Sequence, residues 1–148
     1  KMRLLCRCIC APVMRNKVVK MLNELEKLHS VCFPNKPWSA SDFADLKKSG
    51  CDIIASQNGF IVWRVVADES EIITIGVHPD ARRGGIAAAM LVLAENDAKK
   101  RGASKMFLEV AENNRPARAM YERNGFVQIG VRPKYYDGID AILMEKKL

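Results

Sequence analysis

Residues 71–102 constrain the fold of this chain more than any other segment. A β-rich run at 71–77 is stopped by Pro79, and an arginine- and glycine-rich turn then leads into an alanine-rich apolar run. Three basic residues near position 100 and Gly102 close that run as the last turn and the end of a helix should, because cations favour the negative end of the helix dipole. A strand, a tight turn and a long helix in this order indicate a domain that mixes strands and helices.

The rest of the chain adds elements at short spacing. Apolar residues at helical spacing predict an amphipathic helix at 16–29, and residues 39–50 have the serine start and glycine end of a short capped helix. Asn58 and Gly59 separate two β-rich runs and predict a hairpin. The other expected elements are strands at 3–10, 52–56, 60–67, 105–110, 126–131 and 139–145, and helices at 85–101 and 114–124.

The length and the charge narrow the function classes. The chain has 148 residues, which fits one domain over 1–148, and its net charge of +7 indicates an anionic partner or cofactor. The basic residues are scattered and no base-reading signature occurs, so we expect no direct nucleic-acid binding. No apolar run approaches the roughly 18–20 residues of a membrane span, and the basic, then apolar start is too short for a signal peptide. We therefore expect a soluble, cytoplasmic protein that does not bind membranes.

Five cysteines are present, three of them in the strand expected at 3–10. An odd count in a chain of this size does not favour a disulfide framework. Cys6, Cys8 and Cys10 alternate, so in a strand they would form one apolar row in the core. A zinc site remains the alternative, but no further cysteine or histidine pair has suitable spacing, and we predict no metal.

The turn at Arg82, Arg83, Gly84 and Gly85 is a candidate anion site. The first turn of a helix offers unpaired N–H groups and a partial positive charge, glycines let a ligand approach the backbone, and arginines add forked donors. A diphosphate would suit it. The turn lacks the lysine and serine or threonine of a P-loop and the third glycine of a dinucleotide-binding loop. A solvated helix start remains the alternative interpretation.

A second set of residues follows at a fixed distance. Glu109 lies in an apolar strand, where a carboxylate is costly unless it has a partner or faces a cleft. Tyr121 lies on the next predicted helix, which Asn114 would cap and Gly125 would end. A buried glutamate bonded to the backbone and a core tyrosine are the alternative interpretation of the pair.

Together these motifs resemble the GNAT acetyltransferases, which transfer an acetyl group from acetyl-coenzyme A to an amine. Arg82, Gly85 and Ala87 match the family's pyrophosphate loop, and Asn114 followed by residues 117–126 matches its second cofactor motif. The resemblance runs from about residue 71 to the end of the sequence and, more loosely, through the first half. It implies a single α/β domain with a mixed, mostly antiparallel central sheet flanked by helices.

The resemblance also implies residue roles. Glu109 would be the base and Tyr121 the acid in a direct transfer. Arg115, Pro116 and Arg118 depart from the small residues that are common at these positions in the family, and would either meet the adenosine 3′-phosphate or face solvent. The residues expected to bind acetyl-coenzyme A are Ile75, Gly76, Val77, Arg82, Arg83, Gly84, Gly85, Ile86, Ala87, Ala88 and Asn114.

The expected acceptor is the N-terminal α-amine of a protein, with an N-terminal alanine of a ribosomal protein favoured within the family. Phe33, Trp38, Tyr135 and Tyr136 are the candidates for an acceptor groove, and ordinary core packing is their alternative. Another amine, such as a lysine, a polyamine or an antibiotic, is the alternative acceptor. A coenzyme-A-binding regulatory module without catalysis is a further possibility. Acidic residues that could meet a basic tail are Asp42, Asp45, Asp137 and Asp140.

Overall fold

The computed structural model describes the backbone of residues 7–148 and the side chains of residues 17–148. The chain divides into two compact units, Lys1–Ser49 and Gly50–Leu148. That residues 1–148 form a single domain stays a prediction. Among the described residues, none of the helices combines the length and the apolar composition that a membrane crossing requires.

The first unit contains helices α1 (Arg7–Cys32) and α2 (Ala40–Lys48). The helix predicted at 16–29 is confirmed and is longer at both ends. The strand predicted at 3–10 is wrong for residues 7–10, which are helical, and its first residues lie outside those described. Alternation over a few cysteines is a weak strand signal, whereas each residue added to an existing helix gains a backbone hydrogen bond. The cysteine row and the absence of a metal there stay predictions, because Cys6 lies outside the described residues and the side chains of Cys8 and Cys10 are not described.

Helix α2 begins with a capping box, as the serine start predicts. The Ser39 N–H donates to Asp42 Oδ2 over 2.7 Å, and the Asp42 N–H donates to Ser39 Oγ over 3.2 Å. Two backbone donors at the helix start are thereby satisfied. The Ser39 N–H and the Ser39 hydroxyl, which donates to Asp42 Oδ2 over 2.8 Å, lower the pKa of the Asp42 carboxyl. Asp42 therefore has a structural partner and is not simply part of an acidic surface.

An aromatic cluster fills the first unit around a buried histidine. His29 is 2% exposed and stacks on Trp38, with ring centroids 4.7 Å apart. Its Nδ1 accepts the Trp38 backbone N–H over 3.0 Å. Phe33 and Phe43 pack against the same imidazole at 4.7 Å and 5.6 Å. Burial lowers the pKa of His29, because the charged imidazolium loses its hydration there.

The second unit contains a six-stranded sheet and helices α3 (Ile86–Lys100) and α4 (Arg115–Arg123). The strand order is β1-β2-β3-β4-β6-β5, and only β3 and β4 are parallel. This confirms the mostly antiparallel sheet and the predicted order of strands and helices. The strands are β1 (Asp52–Ala55), β2 (Gly59–Val66), β3 (Glu69–Val77), β4 (Lys105–Ala111), β5 (Val127–Tyr136) and β6 (Ile139–Lys147).

The core of this unit lies between one face of the sheet and helices α3 and α4. Leu91, Ala94 and Ala98 of α3 are fully buried in the same cluster as Met106 of β4 and Phe126 after α4. The alanines let the helix axis approach the sheet closely, since protein interiors tolerate few voids. The alanine-rich run that predicts this helix therefore also sets how closely it packs on the sheet.

The hairpin of β1 and β2 is confirmed, but Gly59 does not play the part that an Asn-Gly turn assigns to it. Gly59 belongs to β2, pairs with Val77 of β3, and is not among the residues with a positive φ. Its lack of a side chain matters for packing, because a Cβ there would lie 2.8 Å from Ile86 Cγ2.

Candidate active site

Strands β3 and β4 diverge partway along their length. They pair only from Glu69 with Lys105 to Glu71 with Phe107, although β3 continues to Val77 and β4 to Ala111. Beyond the paired segment, the side of β3 that faces β4 has no strand partner among the described residues. A gap therefore opens in the sheet, where backbone groups of β3 are available to a ligand.

Val77 directs its backbone N–H into this gap. The His78 N–H donates to Asn58 O over 2.8 Å, so the opposing Gly59 and Val77 form a non-hydrogen-bonded pair. In such a pair the N–H and C=O groups of both residues point away from the partner strand. The Val77 carbonyl accepts the Arg82 Nε–H over 3.2 Å, which leaves the Val77 N–H facing the gap.

Alternation along β3 then separates the three residues predicted here. Ile75 shares the backbone direction of Val77, whereas the Gly76 carbonyl points toward β2. That carbonyl lies 3.2 Å from the position of a Cβ on Gly59. Ile75 and Val77 thus present backbone groups to the gap, whereas the backbone groups of Gly76 point toward β2.

The predicted anion turn leads from a 3₁₀ turn (Pro79–Ala81) to the start of α3. Gly85 is the N-cap residue at φ +80°, and no side chain caps the helix. The first helical hydrogen bond runs from the Ala89 N–H to Gly85 O, so the N–H groups of residues 86–88 have no partner within the helix. No acidic residue lies in the first turn. The site has free donors and positive charge, as anion binding requires.

Arg83 adopts a left-handed conformation in this turn, with φ +66°. A non-glycine residue in that region costs of the order of 1 kcal/mol. Such strain is concentrated at functional turns, where the surrounding structure enforces it. The neighbouring Gly84 is not required by sterics, because a Cβ there would be 3.6 Å from Ala81 O.

Glu109 lies on the face of β4 opposite the core. Its neighbours Leu108 and Val110 are buried against the helices, whereas the Glu109 side chain is 22% exposed. An open cleft of about 550 Å³ runs along this face and includes Glu109 and Phe107 in its lining. The carboxylate is therefore partly desolvated but remains accessible.

Arg132 is the charge partner of Glu109, and no sequence pattern had identified it. Its Nη2 lies 2.8 Å from Glu109 Oε1, and its guanidinium carbon lies 4.7 Å from the centre of the Tyr135 ring. The only sequence signal was indirect: a carboxylate in an apolar strand needs a partner. Nothing in the local sequence identified which arginine would supply it, because Arg132 comes from β5, two strands away in the sheet.

Tyr136 contacts the backbone of Glu109, and Tyr121 lies near Tyr136. Tyr121 is 5% exposed, and its hydroxyl makes no hydrogen bond to the described residues. Burial, followed by the interaction with Tyr136, raises the pKa of Tyr121 far above its ordinary value. The Tyr136 hydroxyl donates to the Glu109 carbonyl over 3.4 Å. Burial, followed by the charge of Glu109, also raises the pKa of Tyr136.

Asn114 caps α4, as its position predicts. Its Oδ1 accepts the Ala117 N–H over 3.3 Å, so the side-chain oxygen is engaged and the amide NH₂ remains as a donor. Arg118 donates to the Glu112 carbonyl over 3.2 Å, and its buried Nε has no partner among the described residues. The exposed Arg115 and Pro116 make up the start of the same helix.

The predicted acceptor residues fall in both units. Tyr135 and Tyr136 lie at the end of β5 with ring centroids 5.0 Å apart, next to the Glu109 and Arg132 pair. Phe33 and Trp38 belong to the His29 cluster of the first unit, and Phe33 is 37% exposed. Within the second unit, the structure thus brings Glu109, Tyr121, Tyr135 and Tyr136 together.

The mixed sheet with its gap and the uncapped, positively charged helix start are features of one class of protein, the acetyltransferases of the GNAT family. The family model for the acetyltransferase (GNAT) family matches residues 20–126, and the chain belongs to this family. Among the described residues, no group of three or more histidine, cysteine, aspartate or glutamate side chains could hold a metal ion.

Particular relatives refine the comparison. The [ribosomal protein bS18]-alanine N-acetyltransferase of Escherichia coli (strain K12) is 37% identical over 117 residues, covering 73% of this chain and 79% of that protein. The crystal structure of the ribosomal-protein-S18-alanine N-acetyltransferase from Escherichia coli superposes with a TM-score of 0.77 at 30% identity, covering 86% of this chain and 88% of that one. A putative streptothricin acetyltransferase from Bacillus anthracis str. Ames, in complex with acetyl coenzyme A, has a TM-score of 0.60 at 26% identity, covering 67% and 63%.

Proposed function

We propose that this chain transfers an acetyl group from acetyl-coenzyme A to the N-terminal α-amine of a protein, the N-terminal alanine of a ribosomal protein. The observation that carries the acceptor is the 37% identity to the Escherichia coli enzyme named for that reaction, over 79% of its length. We assign the reaction to the cytoplasm, where ribosomal proteins are made.

The start of α3 fits the diphosphate of acetyl-coenzyme A. Its uncapped N–H groups at residues 86–88, the positive φ of Gly85 and the cations Arg82 and Arg83 supply donors and charge without a competing carboxylate. Arg82 is already oriented by its hydrogen bond to the Val77 carbonyl. The Bacillus anthracis neighbour was crystallised with acetyl coenzyme A, which supports this ligand.

The gap between β3 and β4 fits the thioester end. Acetyl-coenzyme A supplies the acetyl group as a thioester, whose carbonyl oxygen becomes negatively charged as the amine attacks. The Val77 N–H, held by the β2 pairing and facing the gap, is the donor that would stabilise this oxygen. The amide NH₂ of Asn114 and the backbone of Ile75 would hold the pantetheine arm.

Glu109 is the group that would accept the proton of the amine. An α-amine has a pKa of roughly 7.7–8, against about 10.4 for lysine, so near neutral pH a far larger fraction of it is already neutral. A carboxylate acting through one water is a sufficient base for such an acceptor. The amine nitrogen bonds to the carbonyl carbon, the carbon–sulfur bond breaks, and the proton lost by nitrogen passes to Glu109.

Tyr121 would meet the leaving sulfur. Its raised pKa keeps the hydroxyl protonated, and the described residues give that hydroxyl no other partner. Since a thiol has a pKa near 8.5, the phenol is the weaker acid, and a hydrogen bond to the thiolate is favoured over complete proton transfer. Direct transfer of this kind needs no covalent intermediate on the enzyme.

Tyr135 and Tyr136 would line the acceptor groove beside Glu109. Phe33 and Trp38, in the first unit, stay candidate acceptor residues, and their ring contacts with His29 also account for them as packing residues. The candidate acidic residues already have local partners: for example, Asp42 Oδ2 accepts the Ser39 N–H over 2.7 Å, Asp45 pairs with Lys48 at 3.1 Å, and Asp140 Oδ1 accepts the Lys134 N–H over 2.8 Å.

A second candidate acceptor is a small-molecule amine. It is favoured by the likeness to the putative streptothricin acetyltransferase, which covers 63% of that protein. The deciding experiment measures thiol release with peptides that differ only in their first residue, beside a lysine side-chain acceptor, a polyamine and streptothricin. A clear preference for N-terminal alanine supports the proposal. An equal or better rate with the other amines overturns the acceptor, and no thiol release with any acceptor overturns the activity.

A further inference from the structure

Gly59 lies at the point where β2, β3 and α3 meet. It opposes Val77 across the β2–β3 pairing, and a Cβ built on it would lie 2.8 Å from Ile86 Cγ2, 3.2 Å from Gly76 O and 3.4 Å from Met90 Cε. Ile86 is the first residue of α3, and Gly76 precedes Val77. A glycine thus occupies the position at which any side chain would touch both the strand end and the helix start.

Backbone conformation does not explain this glycine. Gly85 and four other glycines have a positive φ, but Gly59 is not among them. The requirement is space alone. Ordinary contacts between carbon atoms lie at about 3.5–4.0 Å, so a methyl group at position 59 would have to displace Ile86 by roughly 1 Å.

Neither neighbour can yield easily. Ile86 is β-branched and lies in a helix, where such side chains have one strongly preferred rotamer. The Gly76 carbonyl is held by the β2–β3 pairing. The movement would therefore fall on the start of α3 relative to the end of β3.

We propose that Gly59 is a positioning residue that sets the distance between the two ends of the cofactor site. These ends are the Val77 N–H, which meets the thioester, and the first-turn N–H groups of α3, which meet the diphosphate. One coenzyme A molecule must span both, so the distance between them is fixed by the ligand. The inference rests on the proposed function, because it takes acetyl-coenzyme A as that ligand.

The test compares coenzyme A binding by calorimetry in the wild type, Gly59→Ala and a matched control, Gly130→Ala. Gly130 is also a strand glycine without a positive φ, and a Cβ there would lie 3.9 Å from Leu143, an ordinary contact. We expect Gly59→Ala to weaken coenzyme A binding roughly tenfold to a hundredfold, as a displacement near 1 Å does in other sites. Gly130→Ala should leave it unchanged.

Two further measurements separate positioning from general damage. Inorganic pyrophosphate contacts only the helix end, so its affinity should be nearly the same in the wild type and Gly59→Ala. Gly59→Ala/Ile86→Ala removes the closest contact, with Ile86 Cγ2, and keeps the backbone N–H of residue 86, so coenzyme A binding should recover to the level of Ile86→Ala alone. If Gly59→Ala does not fold, this pair of variants still decides, since a folded double variant that binds coenzyme A much more weakly than Ile86→Ala overturns the inference.

Each outcome has one meaning. Wild-type protein that binds neither coenzyme A nor acetyl-coenzyme A overturns the proposed function, and the inference with it. Wild-type binding that Gly59→Ala retains overturns the inference alone. Equal losses for coenzyme A and pyrophosphate, or no recovery in the double variant, show a structural role of Gly59 and also overturn it.

Discussion

The Nη2 of Arg132 lies 2.8 Å from Glu109 Oε1, so edge strand β5 supplies the charge partner of the carboxylate in β4. Arg132 is half exposed and is itself held over the Tyr135 ring. This arrangement restrains the Glu109 carboxylate in the lining of the cleft. We infer that Arg132 orients the base and does not contact the acetyl group.

Arg132→Gln should lower kcat about tenfold on an N-terminal alanine peptide, because the carboxylate loses its restraint. The KM for acetyl-coenzyme A should not change, since the contacts of Arg132 are with Glu109 and Tyr135, outside the anion turn. Arg132→Lys should recover part of kcat, because it keeps the charge but not the planar fork. Steady-state kinetics will test this, with Arg123→Gln as a control at an exposed position. An unchanged kcat in Arg132→Gln would exclude a role for Arg132 in orienting Glu109.

Glu109→Gln should lower kcat by roughly 10²–10⁴-fold while coenzyme A binding survives. In this variant the rate should keep rising as the pH increases through about 8, because the fraction of neutral α-amine rises there without help from the base. The measurements are a pH–rate profile and a calorimetric titration. Glu112→Gln, which changes an exposed carboxylate after the same strand, is the control. A profile that matches the wild type would exclude Glu109 as the base.

Tyr121→Phe should reduce kcat about tenfold to a hundredfold with little change in thermal stability. Tyr121 is 5% exposed and its hydroxyl makes no hydrogen bond to the described residues, so removal of the hydroxyl leaves none of these residues unpaired. Parallel kinetics and thermal unfolding distinguish the two effects. A large drop in melting temperature would instead indicate a structural hydroxyl, and full activity would rule out its contact with the leaving sulfur.

Arg83→Gly should weaken acetyl-coenzyme A binding about tenfold, through the loss of a charge-assisted contact to the diphosphate. Stability should not fall, because glycine adopts the φ of +66° at this position without strain. Acetyl-pantetheine, which lacks the diphosphate, provides the control ligand. The KM for it should be the same in both proteins, and an equal loss for both thioesters would contradict a diphosphate contact.

Stability should fall as the pH drops below about 6.5, the ordinary pKa of histidine. Burial lowers the pKa of His29 in the folded state, so the unfolded chain binds the proton first and acid favours unfolding. Asp42 opposes this shift only in part, as the smaller cause. Protonation would also place a hydrogen on the Nδ1 that accepts the Trp38 N–H.

Denaturant unfolding at a series of pH values checks this expectation, with His29→Gln as the control. The amide oxygen of glutamine can accept a hydrogen bond and does not titrate in this range. The acid-dependent loss should therefore be smaller in the variant. Parallel curves for both proteins would assign the loss to other groups.

Local sequence signals determined most of the elements of this protein. The serine at the start of α2, Asn114 at the start of α4 and the apolar run of α3 each encode a structure through neighbours a few residues away. The glycine- and arginine-rich turn likewise encodes an uncapped, positive helix start. The strand expected at 3–10 is wrong at residues 7–10, because alternation over a few positions competes poorly with the extension of a long helix.

Only the tertiary structure decided which distant residues meet. The partner of Glu109 comes from β5, and the orientation of the Val77 N–H follows from its register with Gly59. The sequence pattern around Gly59 predicts a turn residue. In the structure, Gly59 lies in a strand, and its lack of a side chain leaves room for Ile86 of α3. These relationships depend on strand order, register and side-chain volume across the sheet, which no local pattern specifies.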